Sequence, residues 1–325
     1  MRTTLLALAL CTACYSPGYR DCEVTCVNSQ ACPAGYSCES GYCVASMGTT
    51  CGGSGSDSGM PDTGDAPSAR WGTATPVQFP TGTPMGVDDD PTLTDNMLLL
   101  YVKRIVGANI DIYGAQRPMP LAVFTSPSMV DLSTSALTEA SPELSKEGLT
   151  LYFATDRTGG MGGLDIWTSN RPTLTALWGT PINVTVLNSS ANDEGPAISR
   201  DSLTLVFNSR RSGIGDLYIS NRMMVSQNLS TPMAMTALND PNAADEGPFL
   251  STDKLTIYFN SNRNGNHDLF QATRASVMDG FDPPTAITEL NTAGNETDPW
   301  VSPDGKHIFF MRVVGTTLTL MEATR

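Results

Sequence analysis

Histidine is nearly absent from this 325-residue chain, which holds only His267 and His307. Neither stands in an H-x-x-x-H or H-E-x-x-H spacing, so a histidine-held zinc centre is excluded, and a structural role is expected for both. Cysteine is missing after Cys51, so disulfides and thiol nucleophiles are confined to the N-terminal sixth of the chain. Positive charge is scarce. Nineteen Lys and Arg face 33 Asp and Glu, a formal net charge of −14, which leaves no basic face for nucleic acid. No segment carries a helical apolar stripe of useful length, no G-x-S-x-G elbow occurs, and the one apolar run near the N-terminus is too short to span a bilayer.

What the chain has in abundance is repetition. "DEGPAISRDSLTLVFNSRRSGIGDLYISNR" (193–222) returns as "DEGPFLSTDKLTIYFNSNRNGNHDLFQATR" (245–274). The closing Arg marks five copies, at Arg117, Arg171, Arg222, Arg274 and Arg325, and an opening Pro marks the same five, at Pro91, Pro142, Pro196, Pro248 and Pro299. A unit of about 51 residues fits a four-stranded propeller blade better than shorter helical or horseshoe repeats. "LTLVFNS" and "LTIYFNS" are rich in β-branched and aromatic residues, Asp- and Gly-bearing turns such as "SRDS", "STDK" and "SPDG" precede the strands, and "DLYIS" follows. The last copy stops after its third strand, while an orphan segment, "WGTATPVQF" (71–79), resembles the fourth-strand segment "WGTPINV" (178–184). The reading is all-β: a five-bladed β-propeller over residues 71–325, closed by that N-terminal strand, which leaves no free sheet edge.

These units resemble the WD40-like propeller repeats of TolB-type periplasmic proteins and bacterial envelope lipoproteins. The resemblance is carried by the acid three residues before each Pro, the "SPDG" turn, the "LYF" strand with its Arg, a Gly-containing turn, and Asp followed by Ile or Leu and an aromatic. It appears in "LTLYFATDRTGGMGGLDIWTSNR" (149–171) and in the two copies quoted above. The first copy lacks the SPDG-type turn, and Thr319 replaces the Asp in the fifth. The resemblance implies a fold and an envelope setting; such scaffolds host many functions.

Ahead of the propeller, "MRTTLLALALCTAC" reads as a lipoprotein-type signal peptide over residues 1–13, with Cys14 as the lipidated first residue of the exported chain. An ordinary cleaved leader without lipid is the alternative. Tyr15 after the Cys resembles outer-membrane sorting, so an outer-membrane or cell-surface location is expected. Residues 14–51 form a disulfide-rich module. Cys22, Cys26, Cys32, Cys38, Cys43 and Cys51 make three bridges with fifteen pairings open, loosely resembling small EGF-like or Dickkopf-like knots. Residues 52–70, rich in Gly, Ser, Asp and Pro, read as a flexible acidic linker that lets the propeller stand off its anchor.

For chemistry, repetition separates architecture from function. Arg104, Arg157, Arg211, Arg263 and Arg312 end the second strand in all five units, and Asp111, Asp165, Asp216 and Asp268 open the third in four. Arg–Asp pairs bracing each hairpin are the expectation. The acids three residues before each Pro are Asp88, Glu139, Asp193, Asp245 and Glu296, several with acidic company in "DDDP", "DEGP" and "ETDP". First strands of a propeller are innermost, so these acids are expected to gather at one mouth of the central channel. There they would hold a divalent cation such as calcium, or else cap their own turns. Two function classes follow: a monomeric, non-enzymatic envelope lipoprotein that binds a protein or glycan and meets the membrane only through its lipid, or a five-bladed glycoside hydrolase. Near-equivalence of the acids favours binding, since glycoside hydrolysis needs two carboxylates in distinct environments.

Overall fold

The computed structural model describes residues 70–83, 86–134, 136–315 and 317–325, together with the backbone of Tyr36–Glu39 and Tyr42–Ala45. The chain divides into two compact units, Met1–Gly64 and Asp65–Arg325. In the first, Tyr36–Glu39 and Tyr42–Ala45 pair antiparallel, with Cys38 opposite Cys43 in the ladder. The expected signal peptide with Cys14, the remaining cysteines and most of the linker lie outside the described residues.

The second unit is five antiparallel four-stranded sheets, and the described residues contain no helix. The first strands of the blades are Val87–Leu93, Glu139–Leu144, Asp193–Ile198, Asp245–Leu250 and Glu296–Val301. Each packs against the next, and the last returns to the first, which makes a closed ring around a channel. Second strands are buried on both faces because they lie between neighbouring blades. Val102, Phe153, Phe207, Phe259 and Phe310, one per blade at the same position, are all at most 1% exposed. Burial of that apolar area is the main force holding blade to blade.

The fifth blade is completed by the N-terminal strand. Thr75–Pro76 pairs with Thr317–Thr324, placing Met321 opposite Pro76 and Glu322 opposite Thr75. Gly72 N donates to Thr324 O at 2.7 Å and Val77 N to Leu320 O at 2.9 Å.

Two repeated backbone features follow from the sequence markers. Each first strand bulges at its Pro, which has no N–H to give the ladder, and the residue before it is left-handed: Asp90, Ser141, Gly195, Gly247 and Asp298, with φ between 47° and 59°. Glycine favours this φ, and at Gly195 a Cβ would also lie 2.3 Å from Asn208 Oδ1. The turn between first and second strands also ends left-handed, at Met97, Gly148, Ser202, Lys254 and Gly305. The closing Arg of each unit clamps this residue: Nε of Arg117, Arg171, Arg222, Arg274 and Arg325 donates to its carbonyl at 2.6–2.8 Å. The first copy's "TDNM" makes the same turn as "SPDG", with Thr94 Oγ1 donating to Asn96 Oδ1 at 2.8 Å as Ser302 Oγ does to Asp304 at 2.6 Å. The first unit therefore has the turn that its sequence disguises.

Candidate functional site at the channel mouth

The five acids expected at the channel mouth do not meet. Each turns to the Arg that ends the second strand of its own blade. Asp88 pairs with Arg104 at 2.5 Å, Glu139 with Arg157 at 2.9 Å, Asp193 with Arg211 at 2.6 Å, Asp245 with Arg263 at 2.5 Å and Glu296 with Arg312 at 2.9 Å. The other carboxylate oxygen of the last four accepts a backbone N–H from the preceding loop, at Thr134, Ser189, Asp240 and Thr292. Arg211, Arg263 and Arg312 also donate to the carbonyls of Leu187, Leu238 and Leu290. One ion pair thus ties together the second strand, the loop entering the blade and the first strand. Four of these carboxylates are fully buried, which is tolerable because both oxygens of each find a donor. The acids are architecture.

The expected Arg partners, Asp165, Asp216 and Asp268, instead accept from their own hairpin loops: from Met161 N at 2.5 Å, from Ser212 Oγ and from Asn266 Nδ2 at 3.2 Å. Asp111 lies beside Glu139 of the neighbouring blade, where burial pushes both carboxyls up.

The residues that converge are the acids' neighbours. The left-handed bulges point Asp90, Ser141 and Asp298 into the channel mouth, beside Asp89. One carboxylate oxygen from each of Asp89, Asp90 and Asp298 lies within 4.8 Å of the others, a spacing that could hold a metal ion. Lys103, at the end of the second strand of the first blade, donates to Asp89 at 2.7 Å and to Asp90 at 2.9 Å. Ser141 donates its N–H and its hydroxyl to Asp90, both at 3.2 Å.

Three carboxyls and one ammonium in a buried space cannot all be charged, and the protons partition accordingly. Burial and the nearby charges of Asp90 and Asp89 raise Asp298 well above the usual carboxyl range. Burial would raise Asp90 too, but Lys103 and the hydrogen bond from Asp298 hold it below its ordinary value. Asp89 is raised by burial and by Asp90. Lys103 loses by burial and gains more from the three carboxyls, so its ammonium is held well above the normal value. Of the three carboxyls, Asp298 keeps its proton to the highest pH and lies against Asp90, the readiest to ionise, with Lys103 bridging Asp90 to Asp89.

Around this cluster a polar pocket of about 220 Å³ opens, bordered by Glu194, Asn208, Arg210, Glu246, Asn260 and His267. Arg210 reaches across to Glu246 of the next blade at 3.0 Å, Asn192 Nδ2 donates to Glu194 at 2.9 Å, and Asn260 Nδ2 lies 3.1 Å from His267 Nδ1. Burial raises the Glu194 carboxyl, with Asn192 opposing and Asp90 and Glu246 adding repulsion. His267, expected to be structural, therefore stands in the pocket wall.

Below the cluster the five opening prolines narrow the channel to a cavity of about 40 Å³, room for one or a few waters. Glu143 lies buried at this depth and accepts from Thr92 Oγ1 at 2.8 Å. Burial pushes its pKa up to about 7 against the pull of Arg200.

No protein-family model matches the chain, and no curated protein does. Solved structures do. A TolB structure from Agrobacterium tumefaciens has 17% identity and a TM-score of 0.51, covering 73% of this chain and 76% of its own. The catalytic domain of a GH62 α-L-arabinofuranosidase from Coprinopsis cinerea has 12% identity and a TM-score of 0.54, covering 78% and 96%. A GH43 endo-arabinanase from Bacillus licheniformis has 12% identity and a TM-score of 0.52, covering 75% and 95%. At such identities the likeness shows the fold alone and favours neither the TolB proteins nor the hydrolases; the count of five blades comes from the five sheets of this chain.

Proposed function

We propose that this chain is a non-enzymatic envelope lipoprotein, exported by its leader and anchored through Cys14, whose propeller holds a protein or glycan at the polar channel mouth. The observation that carries this reading is the pairing of the Asp89–Asp90–Asp298 cluster with Lys103. Glycosidases need two carboxyls free to face the scissile bond, one to give a proton and one to attack or to activate water. Here the oxygens of three carboxyls lie within 4.8 Å and are closed by Lys103. Such a cluster balances its own charge and leaves Glu194, Glu246, Arg210, Asn208, Asn260 and His267 to make hydrogen bonds outward. Asp89, Asp90 and Asp298 are also the residues that would hold a divalent cation such as calcium, and Lys103 supplies positive charge there. A net charge of −14 sets nucleic acid aside as a partner and favours a ligand with donors or positive charge.

A second reading has one observation of its own. Glu194 is a raised carboxyl on the same pocket as the ionised Asp90, the pairing of acid and base that hydrolysis of a glycoside requires. A glycan array combined with reducing-end assays on arabinan and xylan tests both. The binding reading expects retention of a glycan, or of none, without release of reducing ends. Turnover that disappears in Glu194→Gln would establish the hydrolase instead.

A further inference from the structure

One interface between blades lacks a part that the other four have. In the first, second, fourth and fifth blades the closing Arg lies against an aromatic ring. The rings are Phe124, Trp178, Phe281 and Trp71, and each guanidinium carbon is 4.3–4.5 Å from its ring. In the third blade the same position of the repeat, after Arg222, is Leu229. A hollow of about 310 Å³ opens there between the second and third blades, with Tyr152, Thr168, Ile182, Val186, Arg222 and Leu229 among its walls. A hollow of similar volume lies beside the first blade, but it stops short of Arg171, where Trp178 is in place.

The interface between the first and second blades displays the slot when filled. Tyr101 there corresponds to Tyr152, each one residue before a fully buried second-strand side chain, Val102 and Phe153. The Tyr101 hydroxyl accepts from Trp178 Nε1 and from Arg171 Nη1, both at 3.2 Å. Tyr258, the counterpart in the fourth blade, accepts from Arg325 Nη2 at 3.3 Å. Tyr152 is as buried as these two, yet its hydroxyl has no hydrogen-bond partner among the described residues. Arg222 turns instead to its own loop, Nη1 donating to Gln227 O at 3.4 Å. Thr168, opposite Tyr152 in the ladder, also keeps a buried Oγ1 without a partner. Arg222 is the only charged residue in the lining, so the hollow offers a cationic face, apolar walls and hydroxyls to spare.

We infer that this slot receives a tryptophan side chain of a partner protein, seated as Trp178 is in the neighbouring blade. The indole face lies over the Arg222 guanidinium, and the indole N–H donates to the Tyr152 hydroxyl. The ring has to come from another protein. All four tryptophans of the chain, Trp71, Trp167, Trp178 and Trp300, are buried within the propeller, so neither this chain nor a second copy has one to give. A protein segment fits better than a free aromatic molecule, because Ile182 and Val186 stand exposed on the rim and extend the apolar contact beyond one ring. The slot lies at the outer strand of its blade and shares no residue with the channel-mouth pocket.

The test titrates the full chain with the peptide acetyl-Ser-Trp-Ser-amide and with its leucine counterpart, followed by ligand-observed NMR. The parent is expected to bind the tryptophan peptide with a Kd on the order of 1 mM and the leucine peptide about tenfold more weakly. Leu229→Trp supplies the ring from within, so it should melt higher than the parent and bind neither peptide. Tyr152→Phe removes a hydroxyl that no other group of the propeller uses. It should melt as the parent does and bind the tryptophan peptide severalfold more weakly. Equal affinity of the parent for both peptides overturns the inference, as does undiminished binding by either variant. A Leu229→Trp protein that melts lower than the parent overturns it too, since the slot would then have no room for the ring. None of these outcomes bears on the channel-mouth ligand, whose residues are untouched.

Discussion

Arg325 lies over the indole of Trp71, its guanidinium carbon 4.3 Å from the ring, although the two residues stand at opposite ends of the propeller sequence. Within single blades the same contact joins Arg117 to Phe124 at 4.4 Å, Arg171 to Trp178 at 4.3 Å and Arg274 to Phe281 at 4.5 Å. The ring is thus closed by a contact that every other blade but the third makes within its own sequence. Trp71 is buried, and Trp71→Ala should cost about 3–5 kcal/mol, or open the last blade and cause aggregation. Trp71→Phe should cost far less, because two blades already use Phe there. Calorimetric melts of both variants check this; an Ala variant that melts like the parent would contradict closure through this strand.

Asp245 is fully buried against Arg263 at 2.5 Å. Arg263→Ala strands that carboxylate and should destabilise by about 3–5 kcal/mol, whereas the double change Arg263→Met with Asp245→Leu should recover much of it. Urea unfolding of the single and double variants is the check. If both lose the same stability, the pair is not the tie that joins loop and strands.

The channel cluster gives unequal expectations for two neighbours. Burial and the charges of Asp90 and Asp89 raise Asp298 the furthest of the three carboxyls, so Asp298→Asn should lower the melting temperature less than Asp90→Asn. Lys103→Met removes the ammonium that pairs with both Asp89 and Asp90 and should cost about 3–5 kcal/mol. Added calcium should then restore part of the loss, since a divalent ion can take the ammonium's place. Melts with calcium and with chelator decide it; a Lys103→Met variant indifferent to both would remove the electrostatic account.

Glu143 carries a pKa of about 7, raised from 4.5 by burial. The folded state then favours its neutral form. Its contribution to stability is present below about pH 4.5 and is lost as pH rises through 7, a change on the order of 3 kcal/mol. Glu143→Gln should flatten that part of the stability–pH curve, measured as the difference between variant and parent from pH 4 to 8. Parallel curves would show that the carboxyl is already ionised in the fold.

Much of this molecule is legible before it is folded. The Pro and Arg markers count the blades, and the orphan "WGTATPVQF" predicts the closing strand because its "WGT" repeats that of "WGTPINV". The acids at Asp88, Glu139, Asp193, Asp245 and Glu296 were harder to place. A repeated carboxylate and a repeated Arg are visible in sequence, but the bulge at each Pro rotates the strand so that the acid meets the Arg and its neighbour meets the channel. A one-position shift of that kind exchanges the two faces of a strand. The signal that could have found the site was its irregularity: "DDDP" and "ETDP" put Asp90 and Asp298 before the Pro, where two other blades have Gly. Lys103 was hidden because its position belongs to one blade alone.

The most direct test of the channel mouth as the binding site is capture from an envelope extract on immobilised parent and on an Asp89→Asn, Glu246→Gln double variant of similar melting temperature. Retention by the parent of a protein or glycan that elutes intact and is lost on the variant is the predicted result. Equal retention by both proteins, or elution of a retained polysaccharide as shortened fragments, would contradict it.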